Sequence, residues 1–330
     1  MSSNELRPSA PPAARRTVPV DLIEDARKHV YQAAFRTPLV PLNYTEAPCT
    51  VYLKLENLQP IGSFKIRGAY NAVRLLPADE RAHGVWTVSA GNAGQGVALA
   101  ARQAGVSCKV LVIETAPDAK IDAMRRLGAE IVKAPYDQCW QALGERRHPA
   151  MTGAFVHPFE DDAFIAGNAS AGVEILEDLP DVDAVVAGFG GGGLSCGIAS
   201  ALAGLKPEVR VYAAEPETAA PLARSFAAGS AQDFPGWTAS WVDGCGGKSV
   251  FPRMWALAHH LLAGSIVTTL EGTRRALKLV AERNHVIAEG AAACAVAAAL
   301  TGKCGSGKVV AVVSGGNIDL AKFTELVSAP

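Results

Sequence analysis

At 330 residues the chain exceeds what one hydrophobic core comfortably fills, so two lobes are expected. Its 31 Lys and Arg against 32 Asp and Glu leave a net charge of −1, which argues against nucleic acid or an anionic membrane as partner. The longest apolar run, 291–300, is alanine-rich and too short to span a bilayer.

In chain order, the first 16 residues are rich in Pro, Ala, Ser and Arg without an apolar core, and read as a disordered tail rather than a signal peptide. Short β-branched runs then alternate with alanine-rich amphipathic stretches. Strands are expected at 51–56, 85–89, 109–113, 130–133, 184–188, 209–214 and 309–313, with helices over segments such as 97–103, 120–127 and 193–202. Near-continuous apolar strands alternating with helices predict an α/β fold of mostly parallel sheets covered on both faces. No repeat or low-complexity linker separates the lobes, so they are expected to be interwoven. The cysteines (Cys49, Cys108, Cys139, Cys196, Cys245, Cys294 and Cys304) form no C-x-x-C pair and are odd in number. That predicts reduced thiols in a cytoplasmic protein, and neither a disulfide framework nor a zinc site.

Four segments carry chemistry. The first is Gly62-Ser63-Phe64-Lys65-Ile66-Arg67-Gly68-Ala69. Ser63 is the expected N-cap of a helix running to about Leu76, with Ile66, Ala69, Tyr70 and Val73 as its apolar stripe. Lys65 then sits in the first turn between two apolar residues. A desolvated amine loses basicity and becomes a nucleophile toward carbonyls, whereas for a lone lysine a solvated helix face is the ordinary alternative.

The second is Ser89-Ala90-Gly91-Asn92-Ala93-Gly94-Gln95-Gly96, a small-residue turn entering a helix. Its N–H groups make a seat for a carboxylate, and a plain tight turn is the rival. The third is Gly188-Phe189-Gly190-Gly191-Gly192-Gly193-Leu194 after an apolar strand. Successive glycines let several N–H groups converge on one anion, and the helix beginning near Leu194 adds its positive end, so a phosphate is the expected guest. A dinucleotide turn is the competing reading, with Glu215 as a slightly late acidic partner. The fourth is Ser314-Gly315-Gly316-Asn317, again closing a strand. An amine, a carboxylate seat, a phosphate cradle and a hydroxyl at sheet ends together match pyridoxal 5'-phosphate, with an aldehyde for the lysine, a phosphate for the glycines and a ring nitrogen for the serine.

From Arg36-Thr37-Pro38-Leu39 to Asn317, these motifs in this order resemble the fold-type II pyridoxal-phosphate enzymes of the tryptophan synthase β-like superfamily, in particular the serine/threonine dehydratases. The resemblance implies a large cofactor domain of 17–80 and 154–330, a small domain of 81–153, and a homodimer. It makes Lys65 the Schiff-base lysine, with Phe64 packed near the ring and Asn92 bonding the ring hydroxyl. It assigns the phosphate to Gly190, Gly191, Gly192, Gly193 and Leu194, the pyridine nitrogen to Ser314, and the substrate carboxylate to Ser89, Asn92 and Ala93. The implied reaction is α,β-elimination of water from an amino acid of the serine or threonine type, giving a 2-oxo acid and ammonia, with Lys65 taking the α-proton. Alternative substrates are 3-phenylserine, 3-hydroxyaspartate or a catabolic hydroxy amino acid. Serine racemisation, β-replacement, a nicotinamide-dependent oxidoreductase and a non-catalytic sensor are the other readings.

Departures from the family pattern sharpen the expectation. Ala90 stands where the racemases carry a serine on the opposite face of the substrate, and a methyl group transfers no proton, so elimination is favoured over racemisation. Ile66 and Ala90 also disagree with β-replacement. Glu215 and the Ala219 carbonyl recur from the relatives' cation site, but Pro221 replaces an aspartate there, and no metal is expected. The resemblance places Gly167-Asn168-Ala169-Ser170 and the glycine-rich 245–250 segment beside the pocket, both in unusual form. Arg146, Arg147 and His148 offer cations to an acidic substrate or else form a solvated helix end. Glu289 resembles an acidic residue at the ring edge, or opens the helix that follows.

Overall fold

Ten short strands pair into two sheets among residues 16–329, which the computed structural model describes. The tail expected over 1–16 lies outside them except for Arg16, whose guanidinium donates to the Glu160 carbonyl at 2.6 Å. The strands are β1 (Leu39–Pro41), β2 (Thr50–Leu55), β3 (Val85–Val88), β4 (Cys108–Ile113), β5 (Ala129–Ala134), β6 (Ala154–Phe155), β7 (Ala184–Gly188), β8 (Arg210–Pro216), β9 (Gly264–Thr268) and β10 (Lys308–Val313).

The larger sheet runs β1-β2-β10-β7-β8-β9, and only β1 is antiparallel to its neighbour. The smaller runs β5-β4-β3-β6, all parallel, with β6 beginning at the residue where the sequence predicts a return to the large lobe. Every expected run is a strand, with ends moved by two residues or fewer. β1, β6 and β9 were not anticipated. They are two to five residues long and lie at sheet edges with half-open faces, which leaves no apolar run to read.

The apolar strands are buried on both sides. Val310 and Val312 of β10 pack with Val185 and Ala187 of β7 beneath helices Asp162–Asp178 and Gly193–Leu205. Val309, Ala311 and Val313 face the other way, with Ala184 and Val186, against helix Gly290–Leu300. The alanine-rich 291–300 run is thus a core helix. Each fully buried valine contributes about 1.5–3 kcal/mol, so the middle of this sheet is the rigid part of the molecule.

Behind helix Lys65–Leu75 lies a charged knot with no solvent exposure. Arg67 Nε donates to Glu56 Oε2 at 2.7 Å and its Nη1 to Glu174 Oε1 at 2.7 Å, while Lys54 Nζ pairs with Glu174 Oε2 at 2.6 Å. Each charge has an opposite partner, and removing one partner of such a set costs about 3–5 kcal/mol. The knot pins the lysine helix to helix Asp162–Asp178. All seven cysteines are free and buried. Among the described residues, no helix is long and apolar enough to cross a membrane.

Candidate active site

The carboxyl ends of β2, β7 and β10 meet that of β3 around a cavity of about 360 Å³. Each sequence-predicted site residue lines it: Phe64 and Lys65 after β2, Ser89, Asn92 and Ala93 after β3, Gly190 to Leu194 after β7, and Ser314 after β10. Ala90 lines it too.

Ser63 does not cap the lysine helix. Its backbone bridges Gly315, Phe64 N donates to the Ser314 carbonyl at 3.0 Å, and the helix starts at Lys65. Commitment to that bridge removes Ser63 from capping and ties the lysine to the end of β10. Lys65 Nζ is buried, donates to the Pro158 carbonyl at 2.7 Å, and lies 5.2 and 5.3 Å from the Phe64 and Phe164 ring centroids. Burial pushes its basicity down to about 8 against the opposing pull of Glu289.

The glycine loop leads into helix Gly193–Leu205, with Gly192 left-handed at φ +87°. A Cβ on Gly191 would lie 2.1 Å from the Phe159 ring, so only glycine fits there. The first N–H groups of the helix have no carbonyl to reach within it. Asn168, expected beside the pocket, is instead a buried tether and does not line the cavity: its Oδ1 accepts from Gly68 N and its Nδ2 donates to the Gly193 carbonyl, both at 3.1 Å. It locks the lysine helix to the glycine loop. Ser170 is likewise spent on Arg67 at 3.0 Å.

Asn92 opens helix Asn92–Gln103. Its Nδ2 donates to Glu289, and its Oδ1 accepts from Asn317 at 2.8 Å. Glu289 lines the cavity and is the N-cap residue just before helix Gly290–Leu300. Ser314 Oγ is buried without a partner.

Four lining residues escaped sequence reasoning. Lys120 and Asp243 form an ion pair between helix Asp118–Arg126 and the 243–244 turn. Pro158 and Phe159 come from the turn after β6. None has a local signature, because chain crossing brings them there. Arg146, Arg147 and His148 lie outside the cavity. Arg146 pairs with Glu160 at 3.0 Å and Asp161 at 2.6 Å, and Arg147 pairs with Glu145 at 3.0 Å. Glu215 is turned away as well, accepting from Leu222 N, Ala223 N and Ser265 Oγ at 2.7–2.9 Å, which leaves the dinucleotide reading without its acidic partner. No cluster of three or more His, Cys, Asp or Glu able to hold a metal occurs among the described residues.

An amine of lowered basicity, a glycine cradle and an orphaned hydroxyl in one cavity fit pyridoxal phosphate in chemistry and in placement. The family model described as pyridoxal-phosphate dependent enzyme matches residues 30–315. L-threonine ammonia-lyase of Thermotoga maritima is 40% identical over 282 residues, covering 84% of this chain and 70% of that one. The catabolic L-threonine dehydratase TdcB of Staphylococcus aureus is 34% identical over 316 residues, covering 92% and 90%. Among solved structures, maize serine racemase superposes with a TM-score of 0.85 at 28% identity, covering 94% of this chain and 97% of that one.

Proposed function

The chain belongs to the pyridoxal-phosphate-dependent enzyme family, and from that premise we propose that it removes water from serine or threonine to give a 2-oxo acid and ammonia, with Lys65 as the reacting amine. It is a pyridoxal-phosphate-dependent lyase of the dehydratase, or ammonia-lyase, type. The observation that carries the assignment of Lys65 is its buried amine, brought down to about 8, in one cavity with the glycine loop. An amine near neutrality both attacks a carbonyl and exchanges a proton at working pH.

The cofactor, when bound, supplies an aldehyde for that amine and a conjugated ring that takes up the electrons of the broken Cα–H bond. Lys65 Nζ then removes the α-proton. The N–H groups of Gly190 to Leu194 would hold the phosphate, and Ser314 Oγ would serve the ring nitrogen as a neutral hydroxyl. Ser89, Asn92 and Ala93, at the head of helix Asn92–Gln103, seat the substrate carboxylate. Asn92, whose amide bonds Glu289 and Asn317, would serve the ring hydroxyl.

A neutral β-substituent is supported by the charge inventory. Apart from Lys65, the cation lining the cavity is Lys120, and Asp243 already pairs with it. Nothing is left over for the second carboxylate of 3-hydroxyaspartate. A cytoplasmic homodimer with reduced thiols completes the reading.

Purified protein is expected to show a visible absorption band that borohydride bleaches while tagging Lys65. Lys65→Ala is expected to lose the band and to slow turnover by about 10³-fold or more. Release of 2-oxo acid from serine, threonine, 3-phenylserine and 3-hydroxyaspartate identifies the substrate. A colourless, borohydride-inert protein would sink the cofactor assignment, and preference for 3-hydroxyaspartate would sink the charge argument.

A further inference from the structure

His157 lies in the turn between β6 and helix Asp162–Asp178, and the chemistry above uses none of its atoms. It is fully buried among aromatic rings, with centroids of Phe159 at 4.6 Å, Phe155 at 5.7 Å and Phe251 at 6.2 Å, each close to edge-on. Its Nδ1 accepts from Glu160 N at 3.1 Å and Phe159 N at 3.4 Å, while the His157 backbone N–H donates to Asp161 Oδ2 at 3.0 Å. An Nδ1 that accepts places the ring proton on Nε2, which has no hydrogen-bond partner and stands 3.8 Å from Glu160 Oε2. Burial, then the cations Arg146, Lys65, Arg253 and Arg16, pushes the ring down to about 3, so its lone pair stays available at working pH.

This turn performs two tasks at once. The Pro158 carbonyl receives the Lys65 amine at 2.7 Å, and Phe159 fills the space that a side chain on Gly191 would need. The residues doing this follow His157 directly, and their backbone is folded over its Nδ1. We propose that His157 is the positioning residue of the reacting amine: its Nδ1 sets the 157–161 turn so that the Pro158 carbonyl fixes Lys65 Nζ and Phe159 backs the glycine loop. An amine displaced by about 1 Å from its line to the α-proton loses on the order of 100-fold in rate, with little change in substrate binding.

The test compares three variants of the holoenzyme. His157→Asn keeps an acceptor where Nδ1 stands, His157→Gln moves it out to the Nε2 position, and His157→Leu removes it. His157→Asn is expected to stay within about threefold of wild type in kcat, whereas the Gln and Leu variants fall about 10- to 100-fold with KM changed by less than about threefold. The pH midpoint of the visible cofactor band, which reports the amine's surroundings, is expected to hold in the Asn variant and move in the Gln variant. Wild-type kcat and midpoint in His157→Gln, or an Asn variant as slow as the Gln one, would overturn the inference. If His157→Leu fails to fold, the Asn and Gln pair still decides. The inference rests on Lys65 as the reacting amine. An active Lys65→Ala removes that assignment, while an inactive one beside a wild-type His157→Gln removes this inference alone.

Discussion

Asn92 Nδ2 donates to both carboxylate oxygens of Glu289, at 2.9 and 3.0 Å. One residue follows the small sheet's β3 and the other precedes a core helix of the large sheet, so the contact joins the two halves of the cavity. It also sets up a titration. Burial raises the Glu289 carboxyl to about 7, with Asp243 adding to the rise and Asn92 and Lys120 opposing it.

An acid raised in the folded state takes up a proton on folding. Its stabilising contribution is full below the unfolded value of 4.5 and is lost as pH rises through about 7. Glu289→Gln lacks this dependence. Denaturant unfolding of the two proteins is expected to converge near pH 5 and to diverge by pH 9, with the Gln variant more stable by up to roughly 3 kcal/mol. A gap that stays constant across that range contradicts the burial argument.

Ala90 lines the same cavity as Lys65, and its methyl group neither accepts nor donates a proton. Ala90→Ser supplies a hydroxyl there. Formation of the D-amino acid from L-serine is expected to rise by at least about tenfold, the low end of what one positioned proton-transfer group contributes. Chiral chromatography of the reaction mixture reads this directly, and an unchanged racemisation rate counts against the two-face account.

Gly191→Ala pushes a methyl group to within 2.1 Å of the Phe159 ring, which is held by the turn behind it. Overpacking of this kind costs about 1–3 kcal/mol, and the expected result is lower stability together with weaker cofactor retention. Gly144→Ala is the control. Nothing lies within 4 Å of its Cβ position in helix Tyr136–Glu145, so that change is expected to be neutral or to stabilise by up to about 1 kcal/mol. Equal losses in both variants would contradict the steric reading.

The parts of the site that are contiguous in the chain were legible in the sequence. Lys65 and the 190–193 glycines announce themselves because backbone demands and the odd company of a charge are local. β7 and β10 were legible too, since burial on both faces writes an unbroken apolar run. The Pro158 carbonyl, 93 residues from Lys65, and Asp243, 123 residues from Lys120, are brought in by tertiary approach and leave no periodic trace. Ser63 misled for a related reason: a serine before a helix reads as a cap, and only the bridge to Gly315 shows that its backbone is already engaged.

The pairing of β2 with β10 has a consequence for biosynthesis. β2 carries the lysine segment, yet its partners are the three-residue β1 and β10, whose register joins Thr50 to Lys308. Until β10 leaves the ribosome, β2 lacks its parallel neighbour and must wait through a closure of more than 250 residues. The 184–188 strand and its glycine loop emerge far earlier and find their own neighbour in β8. A nascent chain stalled before residue 308 can therefore tie the lysine helix to the glycine loop through Asn168, but it lacks the strand that seats β2 and the Ser314 that follows it.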